Sequence, residues 1–172
     1  MRRVLHYATL AFRNIRGHGG VWKRSNWKAA AVTLWHKELR RVGLRVTQPR
    51  LAVLAEVQAQ PHGDVDSIAT GARKRLGSLS TQAVYDVLYA LTDAGLLRRI
   101  EPAGSPVRFE LETGDNHHHL VCRSCGSIVD AHCATGTAPC LHTSDDAGFR
   151  IDEAEVTFWG ICPDCQPVTS PK

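Results

Sequence analysis

The sequence predicts an α+β chain: an N-terminal winged helix-turn-helix domain, then a small α/β domain built around a four-cysteine zinc site. Three observations predict it. Apolar residues recur at helical spacing between Thr47 and Ala94, then alternate over two short segments. All six cysteines lie beyond residue 120, and four of them form the Cys-x-x-Cys pairs Cys122/Cys125 and Cys162/Cys165. Charge is uneven: residues 1–36 hold seven Lys/Arg and no Asp/Glu, residues 37–108 eleven basic and seven acidic, and residues 109–172 three and ten. Such asymmetry suits a chain whose first half faces a polyanion and whose second half does something else.

Residues 1–36 read as a basic leader, with Gly17, Gly19 and Gly20 interrupting any element. It is either an arm that touches phosphate or the product of a start codon placed too early, the native start lying nearer Val21 or Val32. Arg2 and Arg3 ahead of Val4–Phe12 imitate a weak signal peptide, but Arg13 and Arg16 follow and no small-residue cleavage site is evident. The expectation is a chain that is not secreted.

A short helix is expected from Trp35 to about Gly43. Thr47 as N-cap with Pro49 in the first turn starts the next, whose stripe is Leu51, Val53, Leu54 and Val57 and which stops before Pro61 and Gly63. Another helix fits Asp66–Leu76. Ser78–Ser80 supplies a turn and a cap, and a last helix runs Thr81–Ala94 with Val84, Val87, Leu88 and Leu91 inward until Gly95 ends it. Strands follow at Leu96–Ile100 and Val107–Leu111. Helices followed by a β-hairpin make a winged helix-turn-helix, in which the helix before the hairpin enters the DNA major groove. Thr81, Gln82, Tyr85 and Asp86 occupy the groove-facing part of that helix. Arg50, Arg73, Lys74, Arg75, Arg98, Arg99 and Arg108 are candidate phosphate contacts, although any one of them is as well explained as a solvated helix face.

The second half reads strand, knuckle, strand, a connection from His132 to Gly148, and a long strand Phe149–Trp159. A small mixed sheet leaves an edge exposed, and pairing across a two-fold axis would cover it, so a homodimer is expected. Asp115–Asp130, DNHHHLVCRSCGSIVD, combines three histidines with a knuckle. Two thiolate pairs clamp one tetrahedral Zn²⁺, while imidazoles and carboxylates suit a separate, less thiophilic ion. Cysteines used in this way belong to a reducing compartment, and no run of about eighteen apolar residues is present, so the cytoplasm is expected and no membrane partner.

The stretches LRVTQPR (Leu44–Arg50), LSTQAVYDVLYALTDAGLL (Leu79–Leu97), RFE (Arg108–Glu110), HHHLVCRSCGSIVD (His117–Asp130) and GICPDC (Gly160–Cys165) resemble, in order and spacing, the ferric uptake regulator family of metal-dependent transcription factors. The resemblance covers roughly residues 37–166. It implies a winged-helix DNA-binding domain at 37–108, a metal-binding dimerisation domain at 109–166, a tail at 167–172, and a homodimer that represses transcription on double-stranded operator DNA when its regulatory metal is bound. It places structural zinc on Cys122, Cys125, Cys162 and Cys165. It places the regulatory site on His62, Glu110, His117, His119 and Asp130, donors that suit Fe²⁺, Mn²⁺ or Zn²⁺. On its own, His62 after Pro61 would read as a solvated loop histidine. Arg50, Thr81, Gln82, Tyr85 and Asp86 fall at DNA-binding positions, with Asp86 standing where relatives often carry Arg or Asn.

A further metal site found in many relatives is not expected, because its strand position is Ala154, although His118 and Glu155 keep a fragment of it. Cys133 and Cys140, beside His132 and His142, resemble the actinobacterial branch associated with catalase-peroxidase genes; they are either packed thiols or a redox or metal pair. The resemblance implies a sensor of Fe²⁺, with peroxide sensing through oxidation of His62 or His117 hinted at by Asp130. A zinc uptake regulator and a protein-binding zinc-ribbon module are the alternatives. A zinc hydrolase or deaminase is disfavoured, because it needs an open water position on the metal and the cysteine pairs make a closed shell.

Overall fold

In the computed structural model, which describes residues 26–115, 117–133, 141, 143–151 and 154–167, the first element is helix α1, Asn26–Arg41. It starts well before the expected Trp35, inside the segment expected to hold no ordered element. Ala29, Ala30 and Ala31 explain the extension, since a run of alanines favours helix without any packing partner. Trp35 and Leu39 are buried, and the Trp35 indole donates to Gln58 Oε1 at 3.1 Å. Gly43, at φ +77°, ends the helix in the left-handed conformation while the Leu44 N–H reaches back to the Leu39 carbonyl at 2.8 Å.

Helix α2, Gln48–Ala59, carries the expected Thr47 cap. Strand β1, Gly63–Asp64, is a two-residue element that sequence patterning misses. Asp64 then caps helix α3, Val65–Leu76, by accepting from the Ser67 N–H at 2.8 Å. Ser80 caps helix α4, Thr81–Asp93, whose Val84, Leu88 and Leu91 are buried. Strands β2, Leu97–Ile100, and β3, Arg108–Leu111, form the hairpin, and β1 pairs on the far side of β3 to give the order β1-β3-β2. These three strands and the helices share one core, in which Leu54, Ile68, Leu88, Leu91 and Phe109 are each under 2% exposed. Each such side chain contributes about 1.5–3 kcal/mol by leaving water.

Strands β4, His117–Cys122, β5, Ile128–His132, and β6, Thr157–Gly160, form a second sheet in the order β5-β4-β6. β5 is antiparallel to β4 and β6 parallel to it, so the sheet is mixed. The expected strand Phe149–Trp159 is shorter: among its described residues only 157–159 are strand. Phe149 and Ile151 alternate as a strand would, yet they stand 75% and 40% exposed. Alternation marks a strand only where a neighbour supplies the ladder, and β6 is paired with β4 only from Thr157 to Gly160.

The chain divides into two units, one running to Glu101 and including Pro106–Thr113, the other comprising Pro102–Ser105 and the residues from Gly114. No helix among the described residues is long and apolar enough to cross a membrane.

Candidate metal centres and nucleic-acid face

Parallel pairing of β4 with β6 sets Cys122 opposite Gly160, so the second knuckle, beginning two residues later, folds back beside the first. Cys162 leads into a 3₁₀ turn, Pro163–Cys165. All four Sγ atoms lie within 4.8 Å of one another, and Cys125 Sγ stands 3.7 Å from Cys162 Sγ. A tetrahedral zinc with bonds of about 2.3 Å requires sulfurs roughly 3.8 Å apart, a spacing that the Cys125–Cys162 pair has and that the other pairs could reach by small side-chain shifts. The Cys162 N–H points at Cys122 Sγ, 3.3 Å away. That backbone N–H, then the one of Cys125, holds the Cys122 thiol down to about 6. The Ser127 hydroxyl, then its N–H, lowers Cys125 as well. Cys165 is drawn down by Ser124, but the thiols of Cys162, Cys125 and Cys122, with burial, push it up to about 12. Crowded sulfurs thus share protons unequally, and a divalent cation would hold all four as thiolates.

A second donor set lies in the first unit. His62 sits in the left-handed backbone region, φ +62°, uncommon for a residue with a Cβ. Its Nε2 is 3.0 Å from Glu110 Oε2. The missed strand explains this contact: β1 pairs Gly63 with Phe109, and the same antiparallel register one residue earlier sets His62 against Glu110. Arg98 lies directly across β2 from Glu110, its Nε 3.9 Å from Oε1. Glu110 is therefore a buried carboxylate with the His62 ring on one oxygen and the Arg98 guanidinium near the other.

The second unit holds the remaining donors. His119 pairs with Asp130 and His117 with His132 across β4 and β5, so all four side chains share one face. The rings of His117 and His119 meet edge to face with centroids 5.2 Å apart, and His119 is fully buried. Asp115, overlooked by sequence reasoning, takes His117 Nδ1 at 3.0 Å. A carboxylate on one imidazole nitrogen fixes the ring so that the other nitrogen suits a metal. The signal was present as an acidic residue two positions before the histidine. His132, opposite His117, was noted only as a neighbour of Cys133. His118 turns to the other face, against Phe158 with ring centroids 6.3 Å apart. Cys133 is half-buried, whereas Cys140 and His142 lie outside the described residues. Ala154 and Glu155 precede β6, in neither helix nor strand.

Thr81, Gln82, Tyr85 and Asp86, the α4 residues expected to face a DNA groove, are all exposed. Arg73 fastens the turn ahead of them, donating from Nε to the Leu79 carbonyl and from Nη2 to Thr81 Oγ1, both at 2.7 Å. Tyr85 stacks on Tyr89 at 6.2 Å, and Arg99 lies over the Tyr89 ring at 5.9 Å. Arg50 is half-buried, and its Nη1 donates to the Arg45 carbonyl at 2.6 Å on the protein surface.

Residues 41–159 match the sequence profile of the ferric uptake regulator family. The chain is 59% identical over 129 residues to transcriptional regulator FurA of Mycobacterium tuberculosis, covering 75% of this chain and 88% of that protein. It is 54% identical over 135 residues to ferric uptake regulation protein 2 of Mycolicibacterium fortuitum, covering 77% and 92%. Its fold is similar to the ferric uptake regulator of Vibrio cholerae, with a TM-score of 0.56 and 28% identity over 74% of this chain and 98% of that one.

Proposed function

Because the chain belongs to the ferric uptake regulator family, we propose that it is a metal-responsive, DNA-binding transcriptional repressor acting in iron homeostasis. The observation that carries the proposal is His62 held against Glu110 on β3, the strand that also forms the wing. A regulatory donor pair built into the wing's own sheet gives a metal a direct hold on the DNA-binding unit.

Two ions fit the residues. Zn²⁺ on Cys122, Cys125, Cys162 and Cys165 is supported by the sulfur spacing and by the N–H aimed at Cys122. It would tie β4 to the end of β6, so its binding free energy is folding free energy. The regulatory ion, Fe²⁺ or alternatively Mn²⁺ or Zn²⁺, would take His62, Glu110, His117, His119 and Asp130, a nitrogen and oxygen set of the right softness. An ion drawing donors from both halves of the chain binds one arrangement of them better than others, and that difference in affinity is what shifts the protein toward its DNA-binding state.

On DNA, α4 would enter the major groove with Thr81, Gln82, Tyr85 and Asp86 toward the bases, while Arg50, Arg73, Arg98, Arg99 and Arg108 hold phosphates. A homodimer is supported by β5, an edge strand of its sheet, and by the row Val129, Leu120 and Phe158, which is 47–58% exposed. Two copies would place two recognition helices on a palindromic operator. Cytoplasmic residence follows from this role and from reduced zinc-bound thiols.

Titration of duplex operator DNA by fluorescence anisotropy, with Fe²⁺, Mn²⁺ and Zn²⁺ in turn, tests the reading. His119→Ala should abolish metal-dependent binding yet leave a folded dimer with its zinc; loss of the dimer would mean that the two sites are misassigned. Salt separates the repressor from a protein-binding zinc module: specific binding must weaken steeply with ionic strength, and no DNA binding with any metal would favour the module. The finer reading adds peroxide, sensed by iron-catalysed oxidation of His62 or His117. Unoxidised histidines and unchanged DNA affinity after peroxide treatment of the Fe²⁺ form would remove it.

A further inference from the structure

The exposed side of α4 carries one side-chain pair whose chemistry selects a base. Gln82 Nε2 donates to Asp86 Oδ1 at 2.8 Å, one helical turn further on. The carboxylate favours this orientation of the amide. Turned over, it would set Oε1 against a carboxylate, two acceptors with no hydrogen between them, whereas the pair as it stands joins donor to anion. Only one of the two Nε2 hydrogens is used. The other, together with Oε1, stays available, so Gln82 can present outward a donor and an acceptor side by side. In the major groove, adenine offers the complementary pair, N7 as acceptor and N6–H₂ as donor. The neighbouring groove-facing side chains are engaged elsewhere, Thr81 by Arg73 and Tyr85 in the stack on Tyr89.

Resting on the reading of this chain as a DNA-binding repressor, we propose that Gln82 reads an adenine in each half-site and that Asp86 is a positioning residue that holds the Gln82 amide for it. Asp86 does not itself touch the base in this arrangement. Its negative charge also faces the phosphates, which weakens binding to every sequence alike. Asp86 therefore trades general affinity for discrimination: the locked amide rejects guanine, whose O6 and N7 are both acceptors, and finds only the N4 donor at cytosine.

The experiment is selection from a random duplex library by the full-length protein loaded with Zn²⁺ and Mn²⁺. Single-base substitutions in the selected duplex are then compared by anisotropy for the wild type, Gln82→Ala, Asp86→Ala and the double variant. The wild type should require adenine at one position per half-site, by about 5- to 150-fold over other bases, the worth of one bidentate contact. Gln82→Ala should lose that preference alone. Asp86→Ala should weaken the preference at the same position while raising affinity for unrelated duplex, and the double variant should discriminate no worse than Gln82→Ala. A role in helix stability alone would leave base preference untouched; both residues are exposed, and circular dichroism checks that the variants fold. The proposal is overturned if Gln82→Ala keeps every base preference, if the Gln82-dependent position is not adenine, or if Asp86→Ala changes a different position. That last result would mean that Asp86 accepts from a cytosine N4 itself. A wild type that selects no sequence with any metal defeats both this assignment and the repressor reading, whereas a selected motif indifferent to Gln82 defeats only this assignment.

Discussion

Gly71 of α3 packs against Glu56 of α2, and replacing it with alanine tests how tightly the two helices are built together. A Cβ on Gly71 would overlap the Glu56 carboxylate and stand 2.8 Å from Glu56 Cγ. Glu56 is 5% exposed and its Oε1 is paired with Arg75 Nε. The added methyl must therefore push the Glu56 side chain away from its one arginine. Alanine gains about 1 kcal/mol over glycine in a helix interior. Against this, overpacking costs about 1–3 kcal/mol, and loosening a buried carboxylate from its partner adds to that, with about 3–5 kcal/mol as the limit for complete rupture. Arg75 is 43% exposed, so water softens the rupture and the lower end applies. The expected net loss is about 2 kcal/mol, or roughly 10 °C in melting temperature for a unit of this size. Far-ultraviolet circular dichroism is a suitable probe, because every α-helix among the described residues belongs to the first unit. Glu56→Ala removes the atoms that clash, so the Gly71→Ala change should be neutral or stabilising in that background, a coupling of about 2–3 kcal/mol. A Gly71→Ala variant as stable as wild type, or the same loss with and without Glu56, would refute the reasoning.

Other consequences follow from single contacts. Arg73→Lys keeps the charge but loses the fork that joins the Leu79 carbonyl to Thr81. DNA affinity should fall severalfold with the salt slope unchanged, because lysine keeps the charge; an unaltered affinity would show that this fork does not position α4. Asp64→Ala should cost about 1 kcal/mol by uncapping α3, and Asp64→Asn much less. The Ser67 N–H, aided by Arg108, keeps the Asp64 carboxyl below its ordinary value. A depressed folded-state value means that the cap's ionic share is complete above the unfolded value, about 3.9, and fades as pH falls below it. Urea titrations of wild type and Asp64→Asn should accordingly converge in acid, and parallel curves would show no such share. Chelating zinc, or Cys125→Ser, should unfold the sheet of β4, β5 and β6 while leaving the helical signal largely intact; hydrogen exchange that is unaltered in β4 would show that the thiols are not holding an ion.

The helices were legible from residue types because their causes are local. Thr47 and Ser80 cap with their own hydroxyls, and Gly95 takes the left-handed turn that ends α4. The two knuckles were legible for the same reason, since a spacing of two residues lets each pair of sulfurs turn toward one point. α1 begins earlier than its apolar periodicity indicates, because Ala29, Ala30 and Ala31 favour helix by intrinsic propensity, which leaves no apolar stripe in the sequence. Phe149–Trp159 was overextended because alternation records which faces a strand would have, not whether a neighbour exists to pair with it.

Residue types and spacing by themselves determined the order of the helices and main strands, the two Cys-x-x-Cys pairs and the presence of nitrogen and oxygen donors beside them, and the resemblance of the quoted stretches determined the family to which the chain belongs. Only the tertiary structure decided which donors meet within each unit. His62 reaches Glu110 because two residues, Gly63 and Asp64, pair with β3 across more than forty positions of chain, and nothing in a two-residue segment announces such a partner. Asp130 faces His119 through the register of β4 and β5, and a slip of one residue would turn it to the opposite face. Gly71 and Glu56 touch because two helices cross there. Residue identity sets what each side chain can do, but contacts between distant segments depend on register and packing, which arise only when the whole core has formed.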